Sequence, residues 1–263
     1  MNRIDEHLGA VKAQGRKALI TFLTAGDPSL EFTKKAVKIM QEEGVDLIEI
    51  GVPFSDPSAD GPTIQAADMR ALEQGTDIFK VFDMVGEIRD EINVPMVFLL
   101  YYNVIVQYGA EAFFKKCAET GIDGLIIPDL PFEESGEVKE YTEQYGVYQI
   151  NLVSPTSRDR IEKIAKNSKG FLYCVSSLGV TGEKSSFKTD FDGFFSAIKK
   201  HSTVPACVGF GISDGEQVKK LSAYCDGAII GSAIVKAIAS GSTDSEREAA
   251  LREKLRDLKS GVQ

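Results

Sequence analysis

Eight short apolar runs, separated by amphipathic segments, constrain this chain more than any other feature. They fall at residues 18–24, 47–51, 95–101, 124–127, 148–153, 171–176, 205–209 and 227–231. Most are continuous in apolar character, rich in Val, Ile and Leu, and bounded by Gly, Pro or Asp. A strand reads this way when both of its faces are buried, as in a parallel sheet. The segments between the runs carry helical stripes. Ser29 stands where it can cap a helix whose Phe32, Ala36, Val37 and Met40 share a face, with Gly44 as its stop. Thr156 to Asp159 opens another helix, with Ile161, Ile164, Ala165 and Ser168 on one stripe, and Asp214 to Gln217 opens a third with the spacing of a capping box. Residues 1–14 read as an additional N-terminal helix, and residues 239–243 as a loop before the last helix.

Eight strand–helix units without a linker predict a closed (β/α)8 TIM barrel with an extra N-terminal helix, one domain over residues 1–263. A doubly wound open sheet is the alternative that the pattern leaves. A length of 263 residues suits such a barrel, and 43% hydrophobic residues suffice for its core.

The formal net charge of -9, with no basic block, argues against nucleic acid as a partner. An anionic ligand would have to be held by local donors and not by the overall field. Cys117, Cys174, Cys207 and Cys225 form no C-x-x-C pair and read as free buried thiols of a reducing cytoplasm. His7 and His201 fall outside any metal-ligand pattern and read as surface residues. The polar N-terminus has no signal-peptide core, and no apolar run approaches membrane-spanning length.

The chemistry concentrates between Ile48 and Gln65. A buried strand carries Glu49 near its end, and eleven residues on Asp60 lies in a loop of Pro, Ser and Gly. Two carboxylates in different settings suit acid–base work, because burial raises one pKa while a polar loop is expected to leave the other low. In a barrel the site lies at the C-terminal strand ends, with a phosphate commonly held after strands seven and eight. Gly209-Phe210-Gly211-Ile212-Ser213 follows run seven, and Gly231-Ser232 opens a helix after run eight. Glycines there let backbone N–H groups approach an anion without any lysine. A third loop, Gly179-Val180-Thr181-Gly182, follows run six and reads as a mobile lid. No run ends in lysine, which argues against a Schiff base, and two scattered histidines argue against a metal aldolase. Carboxylate acid–base catalysis remains, on a substrate that supplies its own electron sink.

These residues carry a family resemblance that spans nearly the whole chain. The 48–65 stretch resembles the signature of the tryptophan synthase alpha subunit. So do Leu23-Thr24-Ala25-Gly26-Asp27-Pro28, Tyr101-Tyr102-Asn103, Ile127-Pro128-Asp129-Leu130-Pro131, Ser154-Pro155-Thr156-Ser157 and the glycine loops, in order and correctly spaced. The resemblance implies a lyase that splits indole-3-glycerol phosphate into indole and glyceraldehyde 3-phosphate, the indole ring being the electron sink. It implies Glu49 as the main acid–base group and Asp60 as the partner of the indole N–H. It implies Phe22, Leu100, Tyr101, Leu125 and Tyr173 as the indole pocket, and Gly182, Phe210, Gly211, Gly231 and Ser232 as the phosphate site. Thr181 would belong to the lid. No cofactor is implied in this chain; pyridoxal phosphate is expected on a beta-subunit partner, in an alpha2-beta2 tetramer. Asp56 and Ser58 would face that partner. Ser58 stands where the family usually has leucine, and Val104 where many relatives have proline. A stand-alone indole-releasing lyase, another phosphate-binding barrel such as an isomerase of the same pathway, and a regulatory subunit that only binds ligand are the competing readings.

Overall fold

The computed structural model describes residues 2–157, 159–175, 191–209 and 211–262. Within them lie nine strands: β1 (Ala18–Thr24), β2 (Leu47–Gly51), β3 (Met96–Leu99), β4 (Gly124–Ile126), β5 (Tyr148–Gln149), β6 (Leu152–Val153), β7 (Leu172–Val175), β8 (Ala206–Gly209) and β9 (Gly227–Ile230). All pair in parallel, in the order β5-β4-β3-β2-β1-β9-β8-β7-β6.

The two ends of that order are halves of one predicted run, residues 148–153. Its first half pairs with β4 and its second with β7. Between them the Ile150 N–H donates to the Leu125 carbonyl at 2.8 Å, and the Asn151 carbonyl accepts from the Tyr173 N–H at 3.0 Å. The sheet therefore meets itself at this segment and closes into a TIM barrel with eight strand positions. The open-sheet alternative falls on this closure.

Side chains alternate across the barrel wall. Ile20, Leu47, Val97, Ile126, Phe171 and Ile229 fill the interior. Their neighbours Leu19, Ile48, Phe98, Leu125, Leu172 and Ile230 belong to the larger core between sheet and outer helices. The predicted N-terminal helix is Arg3–Ala13, and its Ile4, Leu8 and Val11 join the interior cluster, so it plugs one end of the barrel.

Local signals mostly hold. The Ser29 hydroxyl accepts the Phe32 N–H at 3.1 Å at the start of Leu30–Glu42, and Asp214 Oδ1 accepts the Gln217 N–H at 2.8 Å. The segment at Thr156 forms a 3-10 turn, Pro155–Ser157, and the helix begins only at Arg160 with no side-chain cap. The expected loop at 239–243 is shorter, since the helix Ser232–Ser240 includes its first two residues. All four cysteines are free and buried. The histidines are half-buried, not surface-exposed: His7 Nε2 lies 3.7 Å from Asp46 and His201 Nδ1 3.8 Å from Glu162. Among the described residues no helix is long and apolar enough to cross a membrane.

Candidate active site

Strand alternation sends Ile48 and Ile50 outward and Glu49 inward, level with Phe22 on β1 and Val97 on β3. Glu49 is 1% exposed, and its Oε1 has no hydrogen-bond partner among the described residues. A buried polar atom left unpaired costs stability, so it points to a group placed for chemistry and not for packing. Burial pushes the carboxyl up to about 8, which keeps it protonated at neutral pH.

Asp60 is half-buried in the loop after β2, where Tyr101 holds it. The Tyr101 hydroxyl donates to Asp60 Oδ2 at 2.7 Å and accepts the Ala59 N–H at 2.9 Å, while its ring stacks on Phe54 with centroids 4.9 Å apart. Burial raises the Asp60 carboxyl, and the Tyr101 hydrogen bond opposes that rise. The expectation that the polar loop leaves Asp60 low is thus corrected, because the folded loop screens it from water. The larger upward push still falls on Glu49.

Glu49 and Asp60 both face one cavity of about 410 Å³ at the C-terminal strand ends. Phe22 and Tyr173, expected in the pocket, are on its wall. Leu100, Leu125 and Tyr101 are not. Leu100 and Leu125 point outward into the core beneath the helices, and Leu99 lines the cavity instead. One residue along a strand reverses the face, which is how the expectation missed. Tyr101 sits behind Asp60 as its hydrogen-bond donor. Two glycines make room for the rings: a Cβ on Gly51 would lie 2.5 Å from the Phe22 ring, and one on Gly209 2.6 Å from the Tyr173 hydroxyl.

The cavity is also lined by Gly211, Ser213, Gly231 and Ser232. Gly211 has φ +77°, a conformation that side-chain-bearing residues rarely adopt. Gly231 precedes the helix Ser232–Ser240, which has no side-chain cap among the described residues, so its first N–H groups can serve an anion. Gly182, Phe210 and Thr181 lie outside the described residues. Asp56 and Ser58 are exposed on the loop after β2, with the Ser55 hydroxyl donating to Asp56 at 2.6 Å.

Two more residues escaped the sequence reading. Asp68 is 4% exposed on the helix Pro62–Glu73; burial and the neighbouring Asp60 push its carboxyl up to about 7, and Thr24 donates to it at 3.4 Å. Its signal was a carboxylate inside the apolar stripe Ile64, Ala67 and Ala71. Lys236 reaches the cavity wall one turn after Ser232. Among the described residues no group of His, Cys, Asp and Glu could hold a metal ion.

The family model for the tryptophan synthase alpha chain matches residues 8–263. The chain belongs to the tryptophan synthase alpha chain family. A tryptophan synthase alpha chain from a Thermoanaerobacter species is 49% identical over 246 residues, covering 94% of both chains. That of Alkaliphilus metalliredigens is 46% identical and covers 98% of both. Among solved structures, tryptophan synthase from Mycobacterium tuberculosis superposes with a TM-score of 0.89 at 33% identity, covering 100% of this chain and 98% of that one. Tryptophan synthase subunit alpha from Legionella pneumophila gives 0.85 at 34% identity, covering 98% and 99%. Membership of the tryptophan synthase alpha chain family makes the chain a lyase of tryptophan biosynthesis and implies a beta-chain partner.

Proposed function

We propose that Glu49 and Asp60 carry out the family's retro-aldol cleavage of indole-3-glycerol phosphate in the cavity between them. The observation that carries this reading is the buried, protonated Glu49 carboxyl at a strand end, its Oε1 without a partner among the described residues, in one cavity with a second carboxyl held by Tyr101.

The steps follow from those positions. Glu49 gives its proton to indole C3, and positive charge develops on the ring nitrogen. Asp60 accepts the N1–H hydrogen bond and stabilises that charge. The Glu49 carboxylate then takes the proton of the side-chain hydroxyl next to the ring. The carbon–carbon bond breaks, its electron pair returns to the ring, and the hydroxyl carbon becomes the aldehyde of glyceraldehyde 3-phosphate. The net change moves one proton from hydroxyl to ring carbon, so no outside reagent is needed. Each such acid–base role is worth about 10²–10⁴-fold in rate. Phe22, Leu99 and Tyr173 supply apolar wall for the indole, and the open N–H groups after Gly231 suit the phosphate.

The proposal extends to the surroundings. The partner beta chain would carry the pyridoxal phosphate and receive indole, the pair forming an alpha2-beta2 tetramer in the cytoplasm. Asp56 and Ser58, exposed beside the Asp60 loop, would lie against it.

Indole release from indole-3-glycerol phosphate by the purified chain, with and without a beta chain, tests the reading. Weak release alone with strong stimulation by the partner supports it. Strong release without partner would favour a stand-alone lyase. No release under either condition would sink the proposal in favour of a ligand-binding subunit.

A further inference from the structure

A lysine lines the cavity beside the glycines and the helix start proposed to hold the phosphate. Lys236 stands on the helix Ser232–Ser240, four residues after Ser232 and three after Ala233, and all three line the cavity. Residues three and four apart share a helix face, and side chains lean toward the helix N-terminus. That lean directs the Lys236 ammonium back over the first turn, where the uncapped N–H groups open. Among the described residues Lys236 forms no ion pair or side-chain hydrogen bond, whereas Lys34, Lys35 and Lys38 on an outer helix each hold a carboxylate.

The local charge balance gives that cation a task. The carboxyl groups on the described cavity wall are those of Glu49 and Asp60, and Lys236 is its one cationic side chain among the described residues, in a chain of formal net charge -9. A phosphate entering this cavity meets the Asp60 carboxylate, Glu49 being protonated, and only partial positive charge from a helix N-terminus, equivalent to about half an elementary charge. One full positive charge at the same end would offset the repulsion.

We propose that Lys236 is a substrate-binding residue that pairs with the phosphate at the cavity mouth and sets the preference for phosphorylated over unphosphorylated substrates. This rests on the reading above that the phosphate lies between Gly211 and Ser232. Lysine acts here as a point charge on a flexible stem, so it adds attraction without fixing orientation; orientation stays with the backbone donors.

The test is steady-state cleavage of indole-3-glycerol phosphate by the full chain with its beta partner, for wild type, Lys236→Met and Lys236→Arg. Calorimetric binding of glycerol 1-phosphate accompanies it, both at rising salt. Lys236→Met is expected to raise KM and the glycerol phosphate Kd by about 5- to 20-fold, the range of a charge-assisted contact at a partly open site. It should leave kcat within about twofold, because the contact is the same before and during reaction. The salt dependence of binding should flatten in Lys236→Met, and Lys236→Arg should recover to within about threefold of wild type, since the charge is kept. Unchanged KM, Kd and salt dependence in Lys236→Met, beside an active wild type, would overturn this assignment alone. Equal losses in Met and Arg with unchanged salt dependence would overturn it too, as a packing effect. A wild type that neither cleaves the substrate nor binds glycerol phosphate would overturn the phosphate site itself and this assignment with it.

Discussion

The Tyr101 hydroxyl donates to Asp60 Oδ2 at 2.7 Å while accepting the Ala59 N–H at 2.9 Å, so one phenol fixes both a carboxylate and the loop that carries it. Tyr101→Phe removes both contacts with little change in shape. A hydrogen bond to a charged group is worth about 1.5–3 kcal/mol, so kcat/KM should fall by about 10- to 100-fold. The bond also lowers the Asp60 pKa, so its loss lets burial raise that pKa further. Asp60 acts ionised, and the acid limb of the kcat/KM profile should therefore move to higher pH in Tyr101→Phe. An unmoved acid limb would contradict the role given to this pair.

Glu49 links catalysis to stability. An unfolded glutamate loses its proton near 4.5, whereas the folded one keeps it to about 8. The folded pKa is the raised one, so the stability from the protonated group is complete below 4.5 and is lost as pH climbs to about 8. The size of that loss is on the order of 5 kcal/mol at 1.36 kcal/mol per unit. Glu49→Gln removes the titration, so its Tm should vary less across this window and exceed the wild-type Tm at the alkaline end. Calorimetry at both ends of the window checks this. Catalysis needs the protonated acid, so wild-type kcat/KM should also decline above about pH 8.

Leu99 and Leu100 separate pocket from core. Leu100→Ala empties a fully buried site in the outer layer and should cost about 2–5 kcal/mol of stability, with activity per folded molecule retained. Leu99→Ala should cost less stability and raise KM, since Leu99 is on the cavity wall. Urea unfolding beside steady-state kinetics distinguishes them; the opposite pattern would mean that the strand faces are reversed.

Gly51→Ala tests the space left for the pocket ring. The new Cβ would lie 2.5 Å from the Phe22 ring, which must move. Overpacking of this kind costs about 1–3 kcal/mol. A raised KM alongside the lost stability is expected, because Phe22 lines the cavity.

The barrel was legible because parallel strands buried on both faces leave continuous apolar runs, and seven of the eight runs form one strand each within a residue or two at either end among the described residues. The run 148–153 became two strands because its pairing passes from β4 to β7 where the barrel closes, which depends on both neighbours and not on local sequence. The continuous runs that reveal burial also hide which face points inward. Leu100 and Leu125 were expected in the pocket from the family resemblance alone, and the runs carried no facing signal that would have replaced Leu100 with Leu99. Glu49 stood out because a carboxylate inside an apolar strand must either pair with a cation or serve chemistry, and among the described residues it has no cationic partner. Asp68 and Lys236 sit on helices, where a charged side chain reads as solvated until the neighbouring loop or cavity is seen.

In the proposed reaction Glu49 moves the protons while Asp60 stabilises the ring charge. Indole release from indole-3-glycerol phosphate should be compared among wild type, Glu49→Gln and Asp60→Asn, each checked for glycerol phosphate binding. Both variants should bind the phosphate as wild type does and lose at least about 100-fold in rate, with Glu49→Gln the slower. A Glu49→Gln chain that keeps its phosphate affinity and still releases indole at near the wild-type rate would rule out Glu49 as the proton carrier.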